Sequence, residues 1–124
     1  MTMTITYLRL YSDTAGESHF APVHIEVVPR NFAPPAVPFS VSEWVPASRH
    51  GFLYLPSNWV GDLHRSPLRM WIFALKGEME FEATDGERHG IVPGSALLLE
   101  DTTGKGHLSR VVGNESVVLS VVYL

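Results

Sequence analysis

Asp62 and His64, near the middle of the chain, combine a carboxylate with an imidazole two residues apart. In a β-strand, side chains at this spacing point to the same face, so the two groups would converge. Ser66 joins them if the strand continues, although Pro67 soon interrupts it. Imidazole and carboxylate groups transfer protons and also bind metals. The alternative is a surface pair in a loop after Gly61, and spacing alone does not choose between the two interpretations.

His107 is a third candidate, because it follows the polar loop 101–106 and begins the next strand. A loop that leads into a strand at the mouth of a barrel is a common place for a ligand or a base. The alternative is a histidine that satisfies the carbonyl groups of the loop, and the spacing leaves this open.

Charged residues lie close to the same loop. Glu100 and Asp101 end an apolar run, and because neighbours on a strand point to opposite faces, we expect one of them to face inward. Arg69 and Arg110 are candidate partners, either for these carboxylates or for a carboxylate of a substrate.

β-Strands must position these residues, because apolar residues recur with a period of two along most of the chain. Met79, Phe81 and Ala83 alternate with three glutamates, which indicates a strand with one buried face. Asp85-Gly86 then predicts a tight turn before a return strand at 87–91. Further strands are predicted at 3–11, 22–28, 48–55, 68–75, 96–99, 107–112 and 116–124. No segment has helical periodicity, so the sequence predicts an all-β sandwich or barrel.

The first half of the chain also contains a proline-rich segment at 29–46, with five of the nine prolines. Proline has no amide hydrogen to donate to a sheet, so we expect an extended arm, a lid over a site or a wrap across a neighbouring subunit. A chain of 124 residues forms one sizeable core more readily than two. We therefore predict a single domain over 1–124, with N-terminal strands and the arm in 1–50 and the barrel core in 51–124.

Composition excludes several classes of protein. The chain has no cysteine, which removes disulfide frameworks, thiolate nucleophiles and Cys-ligated metal sites. Its net charge of −4 argues against nucleic acid as a partner. No apolar stretch approaches the ~18–20 residues of a membrane span, and the N-terminus lacks the pattern of a signal peptide. We expect a cytoplasmic protein that binds neither nucleic acid nor membranes.

Several short patterns resemble the two motifs of small single-domain cupins. The matching strings are Gly61-Asp-Leu-His64 and Leu75-Lys-Gly-Glu78 for the first motif, and Pro93-Gly94 and Gly104-Lys-Gly-His107 for the second. The longer string Asp101-Thr-Thr-Gly-Lys-Gly-His107 resembles one branch of these proteins. The resemblance covers 59–112 and the final strand. It implies an all-β, cupin-type jelly-roll barrel with a pocket inside, preceded by an N-terminal strand and the Pro-rich arm.

The metal ligands of cupins carry over to this sequence only in part. His64 falls on the first histidine of the first motif, and His107 falls on the histidine of the second. Ser66 stands at the position of the second histidine and Met70 at that of the glutamate. Two of the four usual ligands are therefore replaced, which argues against the standard four-ligand site.

Two interpretations of this depleted site follow. Asp62, His64 and His107 would form a two-His-one-carboxylate set suited to Fe, Zn, Ni or Mn. Alternatively, the site has no metal, and His64 acts as an acid or base that Asp62 orients. The predicted substrate pocket consists of Trp59, Ser66, Arg69, Met70, Ile72 and Glu100.

Three functions are consistent with these residues. The first is an enzyme that transfers protons on a small carbonyl-bearing or aromatic metabolite, as an isomerase, cyclase or lyase, with or without a divalent metal. The second is a non-catalytic module that binds a small ligand, and the third is a non-haem metal-dependent dioxygenase. The fold alone does not choose among them. The resemblance also implies a homodimer, since small cupins pair through edge strands and the arm would cover a second subunit.

Overall fold

The structure, a computed structural model, describes residues 2–124, and every regular element in that range is a β-strand. The strands are β1 (Met3–Ser12), β2 (Ser18–Arg30), β3 (Phe39–Ser42), β4 (Arg49–Leu55), β5 (Val60–His64), β6 (Met70–Lys76), β7 (Glu78–Ala83), β8 (Arg88–Ile91), β9 (Ala96–Leu99), β10 (His107–Val112) and β11 (Val117–Tyr123). No helix that could cross a membrane occurs among these residues.

The strands form two sheets that pack face to face. The larger has seven strands in the order β3-β2-β1-β9-β6-β11-β4, and the smaller has four in the order β5-β10-β7-β8. All pairs are antiparallel except β1 with β9, where Leu10 lies opposite Leu99. Within residues 2–124 the sheets are not joined by strand pairing into a closed barrel. The arrangement is a jelly-roll sandwich, so the predicted all-β fold is confirmed.

Alternating burial on the paired strands produces the core between the sheets. On β7, Met79, Phe81 and Ala83 are buried while the glutamates between them are half-buried or exposed, as the period of two predicts. β11 behaves in the same way, with Val117, Leu119 and Val121 buried. These side chains belong to one apolar cluster with members from both sheets.

The Pro-rich segment contains a strand as well as an arm. Phe39–Ser42 forms β3 at the edge of the larger sheet, paired with the last four residues of β2. β3 itself contains no proline, and Pro29 of β2, which lies opposite Ser40, is beyond the residues of β2 that pair with β1. Three aromatic side chains of this region contact one another while about half or more of each stays exposed: Phe32, Phe39 and Trp44.

Candidate functional site

A cavity of about 570 Å³ opens between the two sheets, with β4 on one side and the end of β5 on the other. This volume falls in the range of small-molecule sites, about 300–1,000 Å³. The lining residues are Arg49, His50, Gly51, Phe52, Leu53, Leu55, Trp59, His64, Ser66, Pro67, Met70, Ile72, Met79, Phe81, Leu99, His107, Ser109, Leu119, Val121 and Tyr123. Most of them are apolar, and the polar groups are concentrated at the end that holds the histidines.

His64 and His107 lie directly opposite each other on the neighbouring strands β5 and β10. Their ring centroids are 4.8 Å apart, and the ring planes are inclined by 56°. His64 is exposed at the rim, whereas His107 is only 2% exposed and also contacts the ring of Phe81. The structure therefore brings the two predicted catalytic histidines to one wall of the cavity, one on its surface and one inside it.

Gly106 makes this approach of the two strands possible. Its φ is +88°, and a Cβ at this position would lie 2.1 Å from the backbone oxygen of His64. The loop is fixed on its other side, since the Ser18 hydroxyl donates a hydrogen bond of 2.7 Å to the Gly106 carbonyl. Only glycine combines this backbone conformation with so close a contact.

Asp101 is the buried partner of His107. Its Oδ2 lies 2.6 Å from His107 Nδ1, and the carboxylate is fully enclosed. A carboxylate accepts hydrogen bonds, so His107 carries its proton on Nδ1 and its Nε2 has a free lone pair. The second oxygen, Oδ1, is buried with no hydrogen-bond partner among residues 2–124. Such a group is costly in a protein interior, and few buried polar atoms of folded proteins lack a partner.

His64 is oriented by the backbone instead of by a carboxylate. Its Nδ1 lies 2.7 Å from the carbonyl oxygen of Asp62. Because a carbonyl only accepts hydrogen bonds, Nδ1 carries the proton, and Nε2 is left as the second lone pair at this wall. Asp62 is exposed, and its side chain does not line the cavity. The predicted orienting residue thus acts through its main chain.

The predicted pocket residues divide into two groups. Trp59, Ser66, Met70 and Ile72 line the cavity. Glu100 and Arg69 do not line it and instead bind each other, with Arg69 Nε 2.7 Å from Glu100 Oε2. Glu100 also accepts a hydrogen bond from Arg9, which leaves it on the outer side of the sheet junction. Asp101, not Glu100, is the inward member of the carboxylate pair.

The three-ligand metal set is not assembled in the described residues. The exposed Asp62 does not line the cavity, and no three His, Asp or Glu side chains of residues 2–124 are grouped to hold a metal ion. Asp101 Oδ2 is already occupied by His107, and Ser66 and Met70 supply a hydroxyl and a thioether where cupins have stronger ligands. The donors present therefore do not fit the metal that the resemblance implies.

Sequence reasoning left the inner wall of β4 and β11 without a functional role. Arg49 and Tyr123 line the cavity beside the predicted residues. Alternation along β11, where Val117, Leu119 and Val121 are apolar, assigns Tyr123 to the same inner face. This periodicity could have identified Tyr123 from the sequence. Arg49 could not be identified in this way, because its place at the cavity follows from the pairing of β4 with β11.

Comparison with solved structures identifies proteins of similar fold. A cupin 2 conserved barrel domain protein from Leptotrichia buccalis superposes with a TM-score of 0.50 at 10% identity, covering 100% of this chain and 78% of that one. The cupin domain of Cnp3 from Schizosaccharomyces pombe gives 0.49 at 13%, covering 97% and 82%. A protein from Neisseria meningitidis gives 0.46 at 16%, covering 81% of each chain. No protein-family model and no curated protein matches the sequence.

At these identities the similarity establishes the fold alone. The described part of the chain has the cupin-type jelly roll that the sequence motifs predict. Chemistry has to be inferred from the side chains, because one barrel supports many activities.

Proposed function

We propose that this protein is an enzyme that transfers a proton on a small molecule held in the cavity, with chemistry of the isomerase, cyclase or lyase type. The observation that carries the proposal is the enclosed contact between Asp101 and His107 at the cavity wall. A buried carboxylate that fixes the tautomer of an imidazole is a recurrent arrangement for general acid–base catalysis.

Each imidazole has a distinct part in the proposed reaction. Asp101 holds the Nδ1 proton of His107, so that Nε2 of His107 is the base that removes a proton from the substrate. The Asp62 carbonyl fixes His64 in the same tautomer, and the exposed position of His64 lets it exchange protons with water. With rings 4.8 Å apart, both side chains reach one bound molecule.

The proposed step is the isomerisation of a carbonyl compound. His107 Nε2 takes a proton from the carbon beside the carbonyl group, and the electrons of the C–H bond form a C=C bond while the carbonyl oxygen becomes an enolate. In a β,γ-unsaturated carbonyl compound the enolate is conjugated with the existing C=C bond, so the same proton, or one from protonated His64, then adds to the γ-carbon, the C=C bond shifts to the α,β position and the C=O bond re-forms. No electrons are gained or lost overall, so the step needs no oxidant and no reductant.

The apolar walls support this chemistry. Met70 and Ile72 are buried beside the histidines, and Phe81 contacts the His107 ring. Water is largely excluded from such a surface, and hydrogen bonds and charges act more strongly where water is absent. A substrate with an apolar body is expected to displace the remaining water.

Hydrogen–deuterium exchange tests this function without knowledge of the natural substrate. A panel of small ketones and oxo acids is incubated with the protein in D₂O, and loss of the C–H signal beside the carbonyl is followed by NMR. We expect exchange with the wild type and a loss of ~100-fold or more in His107→Gln, since general acid–base groups contribute about 10²–10⁴. His64→Gln is expected to lose part of the rate.

His89→Gln is the matched control, because His89 lies on β8, outside the cavity, and contacts Glu87. Equal exchange in wild type and His107→Gln would contradict the proposal. Ligand binding without exchange of any probe would instead favour the non-catalytic binding module.

We also infer a homodimer. The aromatic cluster of Phe32, Phe39 and Trp44 is exposed at one edge of the larger sheet, and Val37 beside it is 81% exposed. Clusters of this kind usually mark contact surfaces in proteins. A second copy would cover these side chains and the edge strand β3.

A further inference from the structure

Arg49 and Tyr123 form a cross-strand pair on the inner face of the larger sheet. They lie directly opposite each other in the pairing of β4 with β11. Opposite residues of antiparallel strands point to the same face. Tyr123 follows the buried Leu119 and Val121 at intervals of two, so this face is the one turned toward the cavity. Both Arg49 and Tyr123 line it.

The Arg49 guanidinium and the Tyr123 hydroxyl have no hydrogen-bond or ion-pair partner within the described residues. Three other arginines on the strands are in ion pairs: Arg9 with Glu100, Arg88 with Glu82 and Arg110 with Glu80. Among residues 2–124, Arg49 makes no ion pair and no side-chain hydrogen bond, and the Tyr123 hydroxyl makes no hydrogen bond. Arg49 is exposed and Tyr123 is half-buried, so a guanidinium with five donors and an unpaired hydroxyl lie at the cavity beside apolar side chains such as Met70 and Leu119.

The strand register locates this pair at the same end of the sandwich as the histidines. Met70 lies opposite both Tyr123 on β11 and Leu99 on β9. Leu99 is followed two residues later by Asp101, which binds His107. A molecule bound at Arg49 would therefore extend along Met70 toward His107.

We propose that the ligand of this cavity is a small organic acid whose carboxylate binds Arg49 and Tyr123 and whose apolar body lies against Met70 and Leu119. The guanidinium donates two hydrogen bonds to the carboxylate, and the Tyr123 hydroxyl donates a third. One cation matches one negative charge, which favours a monoanion over a dianionic phosphate. This inference rests on the proposed function in that it takes the same cavity as the site.

Binding of a matched pair of probes tests the inference. The probes are 4-phenylbutyrate and its neutral amide, 4-phenylbutyramide, with dissociation constants from calorimetry. We expect the wild type to bind the carboxylate at least ~10-fold more tightly, the usual size of a charge-assisted contact. Arg49→Gln is expected to remove this preference, and Arg49→Lys to retain part of it, because Lys keeps the charge without the bidentate geometry. Tyr123→Phe should weaken carboxylate binding by a few-fold.

Arg110→Gln is the matched control, because it removes a cation that lies on the outside of β10 and pairs with Glu80. A preference that falls equally in Arg49→Gln and Arg110→Gln would overturn the inference, since it would reflect overall charge. Equal affinity of the wild type for the two probes, or no binding of either, would overturn it as well.

The inference and the proposed function fail in different ways. A carboxylate preference that depends on Arg49, without hydrogen–deuterium exchange of any probe, would retain the binding site and reject the catalytic function. Exchange that depends on His107, without a carboxylate preference, would retain the function and reject this ligand class.

Discussion

The carboxylate of Asp101 and the imidazole of His107 are joined by a contact of 2.6 Å between Oδ2 and Nδ1, and both side chains are 2% exposed or less. The two residues flank a loop of five residues that contains two glycines with positive φ. This loop turns the chain back so that the end of β9 and the start of β10 meet at the cavity wall. Asp101 thereby holds the His107 imidazole through Nδ1 and leaves Nε2 free.

Asp101→Asn tests the role of this carboxylate. The amide has nearly the same shape, but its NH₂ group cannot accept the Nδ1 proton, so the imidazole tautomer is no longer enforced. We expect the exchange rate to fall ~100-fold or more, comparable to loss of a general base. The measurement is the NMR exchange assay, with the folded state checked by circular dichroism.

Glu100→Gln is the control for this variant, since Glu100 is adjacent in sequence and binds Arg69 outside the cavity. Its exchange rate should equal that of the wild type. A similar fall in both variants would indicate that the loop as a whole, not the Asp101–His107 contact, supports activity.

The pairing of His64 with His107 was predictable, but the choice of Asp101 over Glu100 was not. His64 ends β5 and His107 begins β10, and the motif resemblance already assigned them to one site. To decide whether Glu100 or Asp101 points inward, one must know which residues of β9 face the core. All four residues of that strand are buried, so the sequence shows no alternation of apolar and polar residues from which to decide. Burial on both faces of a strand removes the pattern on which such a prediction depends.

The hairpins were more predictable than the proline-rich region. The turn at Asp85-Gly86 lies between β7 and β8, where alternation and turn chemistry agree. The strand Phe39–Ser42 lies among prolines, and its pairing with β2 comes from a partner distant in sequence. The local composition predicts only an extended arm, a lid or a wrap across a neighbouring subunit, because it contains no sign of the distant pairing partner.

Gly106→Ala is expected to separate the two histidine-bearing strands. A Cβ would lie 2.1 Å from the His64 carbonyl oxygen, so the backbone of β5 would have to move. We expect the midpoint of thermal unfolding to fall and the cross-strand contact between His64 and His107 to be lost, measured by NMR.

Gly94→Ala separates this steric effect from the cost of backbone conformation. Gly94 has a similar φ of +92°, but its added Cβ would meet nothing within 4 Å. This variant should lose only about 1–2 kcal/mol, the ordinary cost of a left-handed residue. Equal destabilisation of the two variants would show that the close approach to His64 is unimportant.

Removal of metals should leave the activity unchanged. Only two imidazoles remain at the cavity wall, because Asp101 is bound to His107 and Asp62 does not line the cavity, and two ligands bind divalent ions weakly compared with three or four. We expect less than stoichiometric metal in the purified protein by elemental analysis, and the same exchange rate after dialysis against a chelator. Stoichiometric zinc or iron that is lost in His107→Ala would contradict this prediction and revive the metal-dependent alternatives.

Substitution of the exposed aromatic residues should weaken the proposed dimer. Trp44 is 76% exposed and stacks on Phe32 at a centroid distance of 5.9 Å. Because Trp side chains often dominate interface energies, we expect Trp44→Ser to weaken dimerisation ~30-fold or more. Analytical ultracentrifugation over a range of concentrations gives the dissociation constant. Leu108→Ser is the control, because it removes an exposed apolar residue of the smaller sheet, and it should leave the dissociation constant unchanged. A wild type that is monomeric at all concentrations would rule the dimer out.

His19 makes stability depend on pH through a cluster remote from the cavity. Its Nε2 lies 2.7 Å from Asp13 and its Nδ1 lies 2.8 Å from Asp85, so it links the β1–β2 turn to the β7–β8 turn. The hydrogen bonds that His19 donates to the Asp13 and Asp85 carboxylates raise the pKa of His19 above its ordinary value of 6.5. Hydrogen bonding to His19 lowers the pKa of Asp13, and a backbone hydrogen bond from Glu87, with His19, lowers that of Asp85.

The sign of the effect follows from these directions. A group with a raised pKa stabilises the fold fully below its unfolded pKa and loses this contribution as pH rises through the folded pKa. The aspartates contribute above their unfolded pKa near 3.8 and lose this contribution as pH falls through their lower folded values. The cluster therefore stabilises the fold most between about pH 4 and 6.5.

We expect His19→Gln to lower the unfolding midpoint at pH 6 more than at pH 8.5, measured by thermal denaturation. His24→Gln is the control, because His24 is an exposed histidine whose ring hydrogen-bonds Thr6, and it should show no such difference. If His19→Gln lowers the unfolding midpoint equally at both pH values, the stabilisation by the cluster does not depend on the charge of His19.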